Sequence, residues 1–496
     1  MRHDPTQGDV SGALASQSVA GTADATIALT RFGHHGARPS TLRLRLAVSR
    51  PVYGVAALGV LLAGCLAVVV FAAADPTVLV PRSRFAFPGW LSGPLHGLFG
   101  QLISDPRTLG YGLSAVVLAM TVAYGIALAS VRVLSMRTIV IAVVVLHAIL
   151  LMSPPLQLTD LFNYLGYARL GGLHHLNPYV HVIGDERQDP IFALTTWYNL
   201  RSPYGPTFTL LTYSVSHLSL PLAYWLLKTA TVLASLAFIA LVWRCARQLG
   251  RDPRFAVLFV AANPIFLIYE LGGFHNDVFM LVPAMAAISL LLDRRYGWAG
   301  AALMLAVSVK FTAVLLLPFL LLAAPSARPR VRLLVGAAVA AVPLAAASIA
   351  AFGFSIPNLS DQSTLLTDFS VPNLVGLLLG VGGGTGVLLL LASVAAVAVV
   401  AVLIWRRDDW LTGAGWSTLA LLCSLAWLVP WYIVWVLPLA ALGTSLRLRR
   451  ATLAFTVFLM LSFIPATQLV MAQLKLSTMD GSASQASLAR QQKLEH

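Results

Sequence analysis

The sequence predicts an all-α, polytopic membrane protein with about 13 transmembrane helices. Three observations carry this prediction. Of the 496 residues, 58% are hydrophobic and only 10% charged, where a soluble domain carries about 25% charged residues. Mean hydropathy is +0.81, and several apolar runs exceed the roughly 18 residues that mark a membrane span. The basic residues behind the net charge of +14 fall in short clusters between those runs, not along one face. Together these exclude a secreted enzyme, a soluble nucleotide-binding enzyme and a disordered scaffold.

Residues 1–50 are rich in Ala, Ser, Thr and Gly and end in Arg31, Arg38, Arg43, Arg45 and Arg50. Lacking an apolar core, they read as a disordered, basic cytoplasmic tail and not as a signal peptide. Residues 51–474 form the transmembrane domain. Its expected spans are 52–74, 109–131, 138–153, 221–243, 255–271, 273–293, 297–309, 311–324, 333–353, 384–405, 411–428, 429–444 and 451–473. With the N-terminus inside, the inner segments hold about twice as many basic residues as the outer ones, so the C-terminus is outside. This describes a multi-pass plasma-membrane protein. Outer loops are expected at 75–108, 153–205 and 354–383, with a flexible outer tail at 475–496. Lys228 falls inside a span. Cys65, Cys245 and Cys423 are too few and too dispersed for a disulfide framework or a zinc site.

Most of the 19 acidic residues fall on the outer face or at its boundary, which makes that face the working side. Four outer segments carry polar groups that lipid alone would not favour. In the first, Asp160 follows the third span, with Asn163 and Tyr164 one helical turn on and hence on the same face. A carboxylate at a membrane surface suits a general base; the alternative is a helix cap. The second segment is Asn177-Pro178-Tyr179, followed by Arg201-Ser202-Pro203-Tyr204-Gly205-Pro206. There Arg201 could approach a phosphate and Tyr204 could stack on a sugar or isoprenoid, or the prolines could simply build a rigid turn.

The third segment follows Asn263-Pro264 and runs from Glu270 to His275-Asn276-Asp277. Polar groups crowded at bilayer depth favour substrate contacts over a self-satisfied network. The i, i+2 spacing of His275 and Asp277 diverges on a helix and does not favour a metal. The fourth segment is Lys310, a cation between two apolar halves, which a substrate phosphate would neutralise or which could snorkel to the headgroups. Trp427, Trp431, Tyr432 and Trp435 around Pro430 read as an outer-boundary aromatic anchor, with carbohydrate stacking at one or two of them as the alternative.

The chain lacks a Walker loop and a dinucleotide fingerprint, and no polar stretch is long enough for a nucleotide-sugar domain. A donor dissolved in the membrane fits better.

Taken in order, Thr159-Asp160-Leu-Phe-Asn163-Tyr164, Asn177-Pro178-Tyr179, Pro203-Tyr204-Gly205-Pro206, Asn263-Pro264, Gly272-Gly273-Phe-His275-Asn276-Asp277 and Val309-Lys310-Phe-Thr with Leu317-Pro318 form a recognisable set. The set resembles GT-C glycosyltransferases that use polyprenol-phosphate mannose. The similarity is greatest to the actinobacterial α-1,6-mannosyltransferases of lipomannan and lipoarabinomannan assembly, in the manner of glycosyltransferase family 87. Thr159 stands where those enzymes tend to carry Arg, and Asp277 where they commonly carry Glu.

The resemblance implies a GT-C fold with an extracytoplasmic site. It also implies a polyprenyl-phosphate sugar donor, a glycan or glycolipid acceptor and inversion at the anomeric carbon. By motif position Asp160 would be the base. Residue chemistry then suggests Lys310, Arg201, Tyr204, His275, Asn276 and Asp277 for the donor, and Asn163, Tyr164, Tyr179 and Glu270 for the acceptor or sugar. No cofactor is expected, a divalent metal is possible but not indicated, and no nucleic acid is involved. A lipid or glycolipid transporter or flippase is the alternative, but no internal repeat accompanies the buried polar residues, as transporters usually show.

Overall fold

The computed structural model describes residues 51–74, 88–99, 102, 105–156, 159–407 and 409–495. The expected basic tail at 1–50 and the first part of the outer loop 75–108 lie outside the described residues. Helices and turns make up the described chain, with no strand among them.

Among the described residues, five helices are long and apolar enough to cross a membrane: Pro51–Ala73, Pro106–Ala129, Leu220–Gln248, Ala327–Phe352 and Gly386–Arg406. Leu446–Phe463 and Pro465–Gln473 would make a sixth, bent by 56° where Pro465 interrupts the ladder. The other apolar runs are shorter helices, including Met136–Leu151, Asp277–Leu292 and Tyr296–Val309. The expected figure of about 13 therefore counts apolar runs, not uninterrupted membrane-length helices.

The breaks have local causes. Asn263-Pro264 ends the Pro253–Ala261 helix, because Pro264 has no N–H to donate and Asn263 Oδ1 takes the Ile265 N–H instead. A wide π-helical turn, Phe266–Leu271, follows. Run 429–444 becomes the Pro430–Trp435 turn and the short Leu437–Leu442 helix.

The Ala327–Phe352 helix packs against Tyr296–Val309 at backbone distance. A Cβ at Gly300 would collide with the Leu333 carbonyl, and one at Gly336 with the Gly297 carbonyl. Its remaining surface is apolar and exposed, as on Val339 and Val342, which suits a face turned to lipid.

The segment 153–205, expected as an outer loop, is held by charge. Arg169 Nε meets both Asp189 oxygens at 2.9 Å, and His174 Nε2 joins Asp189 Oδ2 at 2.7 Å. Burial pushes the Asp189 carboxyl up, but bonds from His174, the Ile191 N–H and Arg169 outweigh it and hold the carboxyl below the usual range.

The tail expected to be flexible at 475–496 instead carries a helix, Ser482–Glu495. Ser484 Oγ donates to Asn373 Oδ1 at 2.7 Å, Ser487 Oγ accepts the Leu366 N–H, and the Leu494 and Lys493 carbonyls accept from Asn199. These contacts come from residues more than a hundred positions away, which local composition does not register.

Candidate active site

Asp160 is the first residue of the Asp160–Gly172 helix, where an anion is favoured by the helix dipole. Its oxygens do not cap that helix. Oδ1 accepts the Tyr204 hydroxyl at 2.9 Å, and Oδ2 lies 3.4 Å from His275 Nδ1. The side chain keeps 18% exposure, enough to meet a ligand. Burial pushes the Asp160 carboxyl up to about 6. The Tyr204 bond and Lys310 pull it down, and Asp277 adds to the rise.

Tyr204 owes its place to the Pro203-Tyr204-Gly205-Pro206 turn. The Gly205 N–H donates to the Val309 carbonyl at 3.2 Å, and a Cβ at Gly205 would overlap the Ser308 and Val309 carbonyls. The Tyr204 carbonyl accepts the Tyr179 hydroxyl at 2.8 Å, and its ring meets Tyr164 edge-on at 4.8 Å.

His275 comes from the π-turn region. Phe274 adopts a left-handed backbone with φ of 54°, and the His275 N–H returns to the Glu270 carbonyl at 3.1 Å. The imidazole stacks flat on Trp431, with centroids 3.8 Å apart.

Asp277 opens the next helix, Asp277–Leu292. Its Oδ1 accepts from Lys310 Nζ at 2.6 Å and also from the Trp435 indole N–H. Lys310 sits in extended backbone between Tyr296–Val309 and Phe311–Leu316. Its ammonium lies 4.9 Å from the Tyr432 ring centroid and 5.0 Å from that of Trp435. With 21% of its side chain exposed and two N–H groups beyond the one on Asp277, Lys310 can still meet an anion.

Several buried polar atoms nearby have no hydrogen-bond partner among the described residues: both Glu270 carboxylate oxygens, Asp277 Oδ2, Asn276 Nδ2 and Asn163 Oδ1. Buried polar groups normally find partners. Beside Trp435 opens a narrow apolar cleft lined by Met280, Leu281, Met285, Ile288, Thr312 and Leu439 among others. Among the described residues, no three His, Cys, Asp or Glu side chains are arranged to hold a metal ion.

The structure thus joins Asp160 to Tyr204 and His275, and Asp277 to Lys310. Other expected contacts have different surroundings. Tyr164 is buried, its oxygen accepting the Asn276 N–H at 3.1 Å, and Tyr179 is buried with its hydroxyl spent on Tyr204 and Thr209. Both brace the site from behind. Glu270 and Asn163 are buried too. Arg201 is exposed and forms no hydrogen bond or ion pair with any described residue. Sequence reasoning assigned Trp431, Tyr432 and Trp435 to a membrane anchor, whereas they contact His275, Lys310 and Asp277. The available signal was Pro430, which breaks a helix where indole N–H groups need acceptors.

Comparison with known proteins adds a second line of observation. A family model described as "Alpha-(1->6)-mannopyranosyltransferase, N-terminal domain" matches residues 46–326. A second, described as "MptB C-terminal domain", matches residues 366–479. The chain is 29% identical over 357 residues to alpha-(1->6)-mannopyranosyltransferase A of Mycobacterium tuberculosis, covering 64% of this chain and 67% of that protein. It is 28% identical over 126 residues to its namesake in Corynebacterium glutamicum, covering 25% of this chain and 26% of that protein. A further alpha-(1->6)-mannopyranosyltransferase of Mycobacterium tuberculosis is 24% identical over 392 residues, covering 62% of this chain and 66% of that protein. No solved structure matches.

Proposed function

This chain belongs to the alpha-(1->6)-mannopyranosyltransferase family, and we propose that it is a membrane mannosyltransferase drawing on a polyprenyl-phosphate donor at the extracytoplasmic face. The acceptor is a glycan or glycolipid. The observation that carries this reading is the adjacency of three things: a partly exposed Asp160 carboxylate held by Tyr204 and His275, the Lys310 ammonium, and an apolar cleft starting at Trp435.

In the proposed reaction an acceptor hydroxyl attacks the anomeric carbon from the face opposite the phosphate. Asp160 removes the hydroxyl proton as the new glycosidic bond forms, and the bond from sugar to phosphate oxygen breaks. Configuration inverts, and the polyprenyl phosphate leaves with the bonding electron pair. Lys310 stabilises that charge with its free N–H groups, while Asp277, Trp435 and Tyr432 hold the ammonium in place. The prenyl chain lies in the apolar cleft. Sugar hydroxyls would supply partners for the unsatisfied Asn163 and Asn276 groups, and through them reach toward Glu270. The excess of basic residues in the expected inner segments supports an inner N-terminus and an outer C-terminus.

The test uses membranes carrying the protein, radiolabelled polyprenol-phosphate mannose and a short α-mannoside acceptor. Transfer by the native chain and its loss in Asp160→Asn, at equal expression, are expected. Full activity in Asp160→Asn would remove the base assignment. Flux of labelled lipid across sealed vesicles with no glycosidic product would point to a transporter.

A further inference from the structure

Lys228 is fully buried within the Leu220–Gln248 helix and forms no ion pair with any described residue. Placing an ammonium there is costly unless hydrogen bonds or aromatic faces compensate. Its Nζ donates to the Ser153 carbonyl at 2.7 Å. It lies 3.9 Å from the Trp225 ring centroid and 4.8 Å from those of Tyr224 and Phe274. Ser153 sits just past the C-terminus of the Met136–Leu151 helix, whose dipole favours a cation.

The two non-helical segments that this one ammonium touches lead to the two sides of the proposed base. Ser153 and Leu156 lie shortly before Asp160 in the sequence. Phe274, with its left-handed backbone, immediately precedes His275. Between them the Leu156 N–H donates to the Gly272 carbonyl at 2.9 Å, and Leu156 packs so closely on Gly272 that a Cβ there would collide with it. Tyr224 and Trp225 are themselves fixed, donating to the Leu91 and Trp90 carbonyls. The cage around Lys228 is therefore anchored on its own helix's side.

We infer that Lys228 is a positioning residue, whose ammonium clamps the Ser153–Leu156 segment to the Phe274 turn and so sets the approach of His275 to Asp160. The inference rests on the reading of Asp160 as base. A methionine of similar length would fill the volume but could not donate to the Ser153 carbonyl, and it lacks the positive charge that the three ring faces attract. A shift of about 1 Å between reacting groups lowers turnover by about 10²-fold, so a loosened clamp acts on kcat and leaves the remote parts of the substrate site unchanged.

The test compares the native chain, Lys228→Met and Lys228→Arg in one detergent or nanodisc preparation, with Phe274→Leu as a second route should Lys228→Met fold poorly. Amide exchange of peptides covering 153–165 and 272–280 is measured without substrate, and kcat and KM separately with it. The clamp predicts faster exchange at both segments in Lys228→Met. It also predicts kcat at least about 10-fold lower with KM within about twofold, and partial recovery in Lys228→Arg. Phe274→Leu, which keeps the ammonium and loses one ring, should show the same changes to a smaller degree. Unchanged exchange in both segments would overturn the clamp whatever the activity. Faster exchange with unchanged kcat would overturn the positioning role. Should Asp160→Asn prove fully active, the base reading falls by that result, and exchange alone still decides whether Lys228 joins the two segments.

Discussion

The Tyr204 hydroxyl donates to Asp160 Oδ1 at 2.9 Å across 44 residues of chain, while burial raises the same carboxyl to about 6. The two effects oppose one another: burial disfavours the carboxylate and the tyrosine favours it. A general base must be ionised to act, so kcat/KM should fall as pH drops through about 6. Tyr204→Phe removes the bond that favours the carboxylate, so its acidic limb should move to higher pH. A pH profile of mannosyl transfer for both proteins measures this. A limb that stayed in place or moved down would contradict the assignment.

Lys310 and Asp277 are expected to behave as a unit, since their contact is 2.6 Å and Asp277 is almost fully buried. Lys310→Met strands the carboxylate and should lower stability by about 3 kcal/mol, with transfer lost. Asp277→Leu strands the ammonium with a similar result. The double variant should be no less stable than either single one, read by thermal unfolding in detergent; additive losses would show that the pair is not coupled.

Gly205 has no room for a side chain between the Ser308 and Val309 carbonyls. Gly205→Ala should therefore push the turn away from Lys310's neighbour Val309, costing about 2 kcal/mol. Because Tyr204 is adjacent, activity should drop more than stability explains. Comparing transfer rates well below the melting transition separates the two.

Tyr179 and Arg201 provide a contrast. Tyr179→Phe loses the hydroxyl that holds the Tyr204 carbonyl and Thr209, about 1 kcal/mol of stability, and should lower kcat with little change in KM. Arg201→Ala removes an exposed side chain without a partner among the described residues, and should keep transfer within about twofold. Loss of donor affinity in Arg201→Ala would support the phosphate role that its sequence context suggests.

The sequence by itself determined that this is an α-helical membrane protein and where its polar groups crowd. Both properties are sums over neighbouring residues: apolar runs report burial in lipid, and Asp160, His275, Asp277 and Lys310 stood out because ionisable groups are costly at that depth. Only the tertiary structure decided which of those groups meet. Lys310 reaches Asp277 across 33 residues and Trp435 reaches it across 158, so hydropathy classed Trp435 with the membrane anchors. Arg201, conspicuous in its motif, is exposed, while Lys228, to which its place inside a span gave no role, closes on Ser153 and three rings. A side chain's role follows from its through-space partners, and these are set by where Pro264, Gly205 and Pro430 break the helices and how the pieces then pack.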